Sequence, residues 1–397
     1  MPVESIPRKY VLRDYQQEAV TAAKKYLLDP KAKKPVLIIM PTGSGKSLIL
    51  ASIAEQIDAP LLVFQPTREI LEQNYHKMMD YGIFGVTIYS ASMNQKEIGN
   101  ITLATIGSVK NHINDFKHFK YVLMDEAHLC NAKMGMYKDF FDLIGEKIIG
   151  LTATPYRLHH NSFGSQLRFL TRTNPRVFSK VIHVTQTRDL SLKGYFCKTE
   201  YYQIKGFNRS EIKINSTGAD YNEDSEKMYY TKHEFNKSVL DVIKRLLKAG
   251  KTRILVFTKF VSEAETLAQE LGSEAAMVNG EMKAKERDAI IKGFRSGQIK
   301  VVANVGVLTV GFDYPELEVV VMARPTRSLT LYYQICGRCV RPHPNKQAAW
   351  IVDMCGNYEI FGKMEDMMLQ EQNDNIWSVV SRGRHLTNVY LDQLMKD

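Results

Sequence analysis

The stretch "MPTGSGKS" (40–47) lies directly after the apolar run "PVLIIM" (35–40) and directly before a helix-period segment. Gly43 and Gly45 let a backbone curl until successive N–H groups face inward onto an anion. Pro41, Thr42 and Ser44 complete that cradle, and the helix that follows offers its positive N-terminal end to the same anion. Lys46 adds a mobile cation suited to β- and γ-phosphates, and the Ser47 hydroxyl is a ligand type for Mg2+. Strand, glycine-bearing loop, Gly-Lys-Ser and helix is the context of a phosphate-binding P-loop. Met40 stands where that pattern usually carries its first glycine.

A phosphate loop of this kind needs a second strand that delivers an acid. "YVLMDEAH" (121–128) places Asp125 and Glu126 where a buried strand would end. Asp125 is positioned to hold Mg2+, directly or through water. Glu126 can take a proton from an attacking water, which makes it the candidate general base. His128, two residues on, could report the state of the nucleotide to a neighbouring segment. A third stretch, "QICGRCVR" (334–341), admits two readings. Its Cys336 and Cys339 form a Cys-x-x-Cys that could hold a metal or cycle as a redox pair. Its Gln334, Arg338 and Arg341 could instead reach for a phosphate, because a guanidinium is permanently charged and forks onto two oxygens. The sequence contains no second Cys/His pair at zinc spacing.

The elements that must position these groups follow a repeated grammar. Buried-strand runs alternate with helical segments through "PVLIIM", "LLVFQP" (61–66), "ITLATI" (101–106), "YVLMDEAH" and "KIIGLTATP" (147–155). The grammar returns in "RILVFT" (253–258), "AAMVNG" (275–280), "IKVVANVGV" (299–307), "LEVVVMARP" (317–325) and "AWIVDM" (349–354). Continuous apolar strands separated by helices suit a parallel sheet covered on both faces. The expected fold is therefore α/β, with two tandem domains, 1–195 and 196–397, each built on a parallel central sheet. "KTEYYQIKG" (198–206) is expected to begin the second sheet. Residues 208–227 read as an exposed excursion, and the tail after residue 361 as two short helical candidates. The helical reading of "LTLYYQICGRCV" (329–340) puts Gln334, Arg338 and Arg341 on one helical face.

The chain has 397 residues, 44% of them hydrophobic and 24% charged, as in soluble globular proteins. No apolar run is long enough to span a membrane, the start lacks a secretory pattern, and five scattered cysteines do not make a disulfide framework. Reduced thiols and a cytoplasmic location are expected. A net charge of +10 points to a polyanionic partner. The segment 156–180 carries Arg157, Arg168, Arg172, Arg176 and Lys180 with no acid, interleaved with Phe163, Phe169 and Phe178. Such a segment can grip phosphate while stacking on bases, or it can be a basic surface over a small aromatic core. Both readings stay open at the level of sequence.

Taken in order, the motifs resemble those of superfamily-two nucleic-acid helicases of the DEAH type, along nearly the whole chain. "LRDYQQEAV" (12–20) resembles the adenine-reading segment, which assigns Gln16 to the base. "FQPTREI" (64–70) and "LATIGSV" (103–109) resemble strand-grasping segments, implying nucleic-acid contacts at Thr67, Arg68 and Thr105; Thr67 could equally be a helix cap. "LTATP" (151–155) resembles the coupling segment, with Thr152 and Thr154. "NVGVLTVGFDYP" (304–315) resembles a motif whose Gly311 and Asp313 turn to nucleotide and whose Asn304 turns to the strand. Thr258 and Lys259 are further contact candidates by the same resemblance. In that family Gln-x-x-Gly-Arg-x-x-Arg faces ATP, which assigns the chemistry of "QICGRCVR" to Gln334, Arg338 and Arg341 rather than to the cysteines.

Within the superfamily the chain most resembles the bacterial RadD/YejH branch and the phage branch-migration helicases of the UvsW kind, without the cysteine-rich zinc module of the former. The resemblance implies that the two domains are RecA-like P-loop domains, with ATP and Mg2+ as cofactors and a single strand in the motor groove. It also implies 3′→5′ movement and a role in repair or recombination on forks and Holliday junctions. No membrane association is expected, and a monomer is. An RNA helicase and the motor subunit of a restriction system are the alternatives.

Overall fold

A computed structural model describes residues 10–130, 136–143, 147–309, 311–373 and 375–396. The opening nine residues read for a secretory signal, and Val310 of "NVGVLTVGFDYP", lie outside the described residues. The chain is α/β and divides into two compact units. One comprises the chain up to Arg157 with Arg168–Gln186 and Leu369–Ser378; the other comprises Leu158–Leu167, Thr187–Met368 and the chain from Val379 onward.

The first unit is built on an eight-stranded sheet. Across it the strands begin at Lys180, Val36, Lys147, Tyr121, Leu61, Ile101, Val86 and Gln95. All pairings are parallel except the last, Val86–Ser90 with Gln95–Lys96. The strands Val36–Ile39 and Leu61–Gln65 are buried at every position, as a sheet covered on both faces requires. Each fully enclosed Leu, Ile or Phe there contributes about 1.5–3 kcal/mol of apolar burial. Three strands escaped the sequence reading: Val86–Ser90, Gln95–Lys96 and Lys180–Val184. Lys180–Val184 is only half buried, so it lacks the continuous apolar signature, yet it extends the sheet beside Val36–Ile39.

The second unit holds a six-stranded parallel sheet whose strands begin at Thr199, Ala349, Val319, Ile254, Val301 and Ala275. "KTEYYQIKG" does open this sheet, as an edge strand Thr199–Gln203 against Ala349–Asp353. A boundary at residue 195 differs from the contact grouping, which starts the second unit's main span at Thr187. The reason is local: the helix Thr187–Leu192 buries Leu190, and the Thr187 hydroxyl bonds the Tyr333 hydroxyl at 2.6 Å.

The excursion reading of 208–227 is corrected. Ile212, Tyr221, Tyr229 and Tyr230 sit in the main apolar cluster of the second unit, and the helix Glu223–Lys232 fully buries Glu226. The tail is corrected too. It does hold two short helical segments, the 3-10 turn Met364–Asp366 and Leu391–Leu394, but between them run the strands Met368–Asn373, Ile376–Ser381 and Arg384–His385, which the sequence reading lacked.

Candidate active site

The P-loop follows from strand, glycine and helix as the sequence requires. Val36–Ile39 ends at the buried Met40, and the helix Lys46–Gln56 starts immediately after Gly45. Gly43 and Gly45 take φ of 84° and 85°, the left-handed region that glycine enters without strain. A side chain at Gly45 would also collide: a Cβ there would lie 2.5 Å from Gln16 Nε2. The loop is braced from below by the helix Asp14–Leu28, where the Tyr15 hydroxyl and Gln16 Nε2 each donate to the Ser44 carbonyl at 2.8 Å. The other end of the Gln16 amide accepts from Arg13 N at 2.9 Å. Gln16, assigned to the adenine base by resemblance, is thus engaged with the loop, and only its second amide hydrogen is left for a base. Pro41, Thr42 and Ser44 are buried, and the Ser44 hydroxyl has no protein partner.

The strand Tyr121–Met124 delivers the acids. Asp125 N donates to Phe64 O at 3.0 Å, so the sheet register continues to the carboxylate. Glu126 has φ 47° and ψ 52°, an unusual conformation for a residue with a side chain. Its Oε1 lies 3.7 Å from Lys46 Nζ and its Oε2 lies 3.3 Å from His128 Nδ1. His128 Nδ1 is also within 3.0 Å of Thr152 Oγ1 and 3.1 Å of Thr154 Oγ1, and both threonines are fully buried. The candidate base and the "LTATP" segment therefore meet on one imidazole.

Burial, then the neighbouring Glu126, raises the Asp125 carboxyl well above its ordinary value, while Lys46 and the Asn74 amide oppose that rise. Two carboxylates facing one lysine form a donor set short of positive charge, and hard oxygen ligands suit a divalent cation. Ser47 and Asp125 fit Mg2+ on that ground.

The structure adds Asn74 and Gln65 to the site. Asn74 Nδ2 donates to Gln65 Oε1 at 2.8 Å and to Asp125 Oδ2 at 3.3 Å, which orients the carboxylate. A signal for Asn74 did exist: it shares the buried stripe of the helix Arg68–Asp80 with Ile70, Leu71 and Met78. A polar residue on an apolar stripe calls for a partner.

In the second unit the helix carrying Gln334 is shorter than expected. It runs Leu329–Cys336 and closes at Gly337, so Arg338 and Arg341 lie beyond it and no shared helical face holds them. Contacts with another segment hold them instead. Arg338 donates through a terminal nitrogen to Phe312 O at 2.7 Å and through Nε to Gln334 O at 3.3 Å. Arg341 forms an ion pair with Asp313, and burial pushes its guanidinium down to about 10. Gly311, with φ 78°, turns the chain just ahead of that pair. Cys336 and Cys339 are fully buried free thiols, and burial pushes Cys339 up to about 12 and Cys336 well up, away from the thiolate that metal binding and exchange need.

The candidate nucleic-acid contacts divide. Thr67 caps the helix Arg68–Asp80, accepting from Ile70 N at 3.4 Å. Arg68 is exposed and reaches Ser92 O at 3.2 Å, and Thr105 shares a hydrogen bond with Ser108 at 2.9 Å. Arg157 is turned inward onto the Cys130 carbonyl. Lys259 is not a surface cation: its ammonium is 2.8 Å from the fully buried Glu226, which also accepts from the Tyr230 hydroxyl at 2.7 Å. Removing one partner of such a buried pair costs about 3–5 kcal/mol. Asn304 caps its own loop, accepting from Leu308 N at 2.9 Å. The Thr258 hydroxyl and Asn304 Nδ2 are both buried with no protein partner, on neighbouring strands of the second sheet.

In the basic segment, Phe169 and Phe178 belong to the core of the first unit. Phe163 does not. It is 83% exposed in the turn between the strands Tyr156–Asn161 and Gly164–Phe169.

Two family models match: "Type III restriction enzyme, res subunit" over residues 9–157 and "Helicase conserved C-terminal domain" over residues 238–343. The chain is similar to the putative ATP-dependent helicase IRC3 of Saccharomyces cerevisiae, 24% identical over 92% of this chain and 54% of that protein. It is similar to a 51.5 kDa protein of a Lactococcus phage, 25% identical over 82% of this chain and 67% of that protein. It thus spans between about half and two thirds of these relatives. Among solved structures it resembles a fragment of a putative HsdR subunit of a type I restriction enzyme from Vibrio vulnificus. That likeness has a TM-score of 0.67 at 20% identity, over 90% of this chain and 67% of that one. Fold and site define a protein with two RecA-like domains, the first carrying a complete P-loop and its acidic strand. The two domain models match in order along the chain, the restriction-enzyme res subunit first and the helicase conserved C-terminal domain second.

Proposed function

We propose that this chain is an ATP-driven DNA translocase that unwinds or remodels branched DNA. The observation that carries the ATP-coupled part is Nδ1 of His128, in hydrogen-bond contact with the Thr152 and Thr154 hydroxyls and 3.3 Å from Glu126 Oε2. A change at the candidate base on hydrolysis is thereby felt by the segment that follows the strand Lys147–Thr152. In the proposed cycle the P-loop N–H groups and Lys46 grip the β- and γ-phosphates of ATP, and Glu126 accepts the proton of the attacking water. Mg2+, held by Ser47 and Asp125, would neutralise phosphate charge. Arg338 and Arg341 of the second unit stabilise the charge that develops on the transferring group, with Gln334, Gly311 and Asp313 beside them. One strand lies along Thr67, Arg68 and Thr105, gripped by its backbone, so sequence readout is slight.

DNA is favoured over RNA by the restriction-enzyme family matched at residues 9–157 and by the likeness to a type I restriction subunit. Branched DNA is favoured by the basic segment and the exposed Phe163, which suits stacking on an unpaired base. The restriction likeness also supports a second reading, a duplex translocase of the restriction kind. ATP turnover with single-stranded, duplex, forked and four-way DNA and with RNA tests all of these. We expect forked DNA to stimulate most. Equal stimulation by RNA would replace the DNA reading, and stimulation by duplex alone would favour the restriction-type motor.

A further inference from the structure

Lys346 falls in the polar turn "RPHPNKQ" (341–347), where the sequence suggests a solvated lysine. Instead it is 7% exposed, between the exposed Asn345 and Gln347. Its ammonium donates to Pro315 O at 2.7 Å, Cys339 O at 2.9 Å and Leu317 O at 3.1 Å. An ammonium has three N–H donors, and all three are matched by carbonyl oxygens. No carboxylate is within ion-pair distance of this ammonium among the described residues. Its hydrogen bonds all go to backbone carbonyls, an expensive way to bury a charge if filling space were its only task.

The carbonyls it joins are not neighbours in sequence. Pro315 and Leu317 follow the Gly311–Asp313 turn, and Cys339 lies between Arg338 and Arg341. The same two segments are tied by Arg338 on Phe312 O and by the Arg341–Asp313 pair. Those two ties use the guanidinium groups themselves, which must be free to turn to a phosphate. Lys346 is the tie that does not. We infer that Lys346 is a positioning residue: its buried ammonium locks the Pro315–Leu317 carbonyls to the arginine segment and so fixes where Arg338 and Arg341 stand when phosphate arrives. The inference rests on the ATP-hydrolysis reading above.

The test is steady-state ATP turnover by the full chain with saturating single-stranded DNA. Lys346→Met keeps the stem and removes the donors. We expect kcat to fall roughly tenfold or more, with KM for ATP changed less than about threefold, because misplaced groups act on the transition state and not on ground-state binding. In an Arg338→Ala background the same change should have a smaller effect, only the part that runs through Arg341. Lys346→Arg, with its donors spread over a plane, should behave like Lys346→Met; it is also the variant to read if Lys346→Met does not fold. A Lys346→Met protein with native kcat, a full additional loss in the Arg338→Ala background, or failure of both variants to fold would overturn the assignment. An unmodified chain without polynucleotide-stimulated turnover would instead overturn the reading beneath it, and the assignment with it.

Discussion

The glycine loop of the first unit and the arginine segment of the second handle charge in opposite ways. In the first, one cation faces two acids: Lys46 lies 3.7 Å from Glu126, and Asp125 is crowded by burial and by that same glutamate. In the second, cations rest mainly on carbonyl oxygens. Arg338 is on Phe312, Lys346 is on three backbone groups, and only Arg341 meets a carboxylate. A site rich in carboxylates and backbone N–H groups is prepared to take up a phosphate together with its metal. A guanidinium parked on a neutral dipole can turn toward a stronger anion at small loss, while the enclosed Lys346 stays in place. In the proposed cycle the first region holds the nucleotide and the second answers it.

Substitutions in the two regions should therefore fail differently. The largest effect is expected for Arg338→Ala: about a thousandfold lower kcat, with nucleotide affinity nearly intact, read by turnover and by binding of a fluorescent nucleotide. Equal losses in both measurements would erase the distinction. Lys46→Ala should do the reverse, weakening nucleotide binding about ten- to a hundredfold through loss of a charge-assisted contact, measured by equilibrium titration. Gly45→Ala forces a side chain into a backbone at φ 85° and toward Gln16, and should lower stability by about 1–2 kcal/mol in thermal melts while loosening the loop.

Asn74→Ala tests the acid side of the first region alone. The Asn74 amide holds the Asp125 carboxyl down against burial and Glu126. Without it the carboxyl binds its proton more tightly, so the acid limb of the turnover profile should move to higher pH. A lost hydrogen bond to a charged group should also cost about 1.5–3 kcal/mol, less whatever water replaces. A pH profile identical to that of the unmodified chain would show that Asn74 does not tune Asp125.

Much of the first region was legible before any coordinates, because its parts are contiguous. Gly43 to Ser47 form one loop, Asp125 to His128 one strand end, and each announces itself by residue type beside an apolar run. What the sequence obscured there were partners from elsewhere: Gln16 turned to Ser44, and Asn74 reaching Asp125 from 51 residues away. The arginine segment was harder. Its residue types were recognised, but the helix ended at Gly337 and the ties to residues 312–317 could not be read from periodicity. Lys259 misled too: taken as a nucleic-acid contact, it is buried on Glu226, and Lys346, which no motif singled out, is enclosed on backbone carbonyls.

Local rules acting within a few residues settled the alternation of strands and helices, the left-handed glycines, and the identity of the acids and arginines. Those properties depend on backbone sterics and on side-chain chemistry that each residue carries with it. Which carbonyl receives which cation, and which lysine is enclosed, was decided only when segments distant in the chain packed together. Such pairings depend on mutual geometry, and no single stretch of sequence contains it.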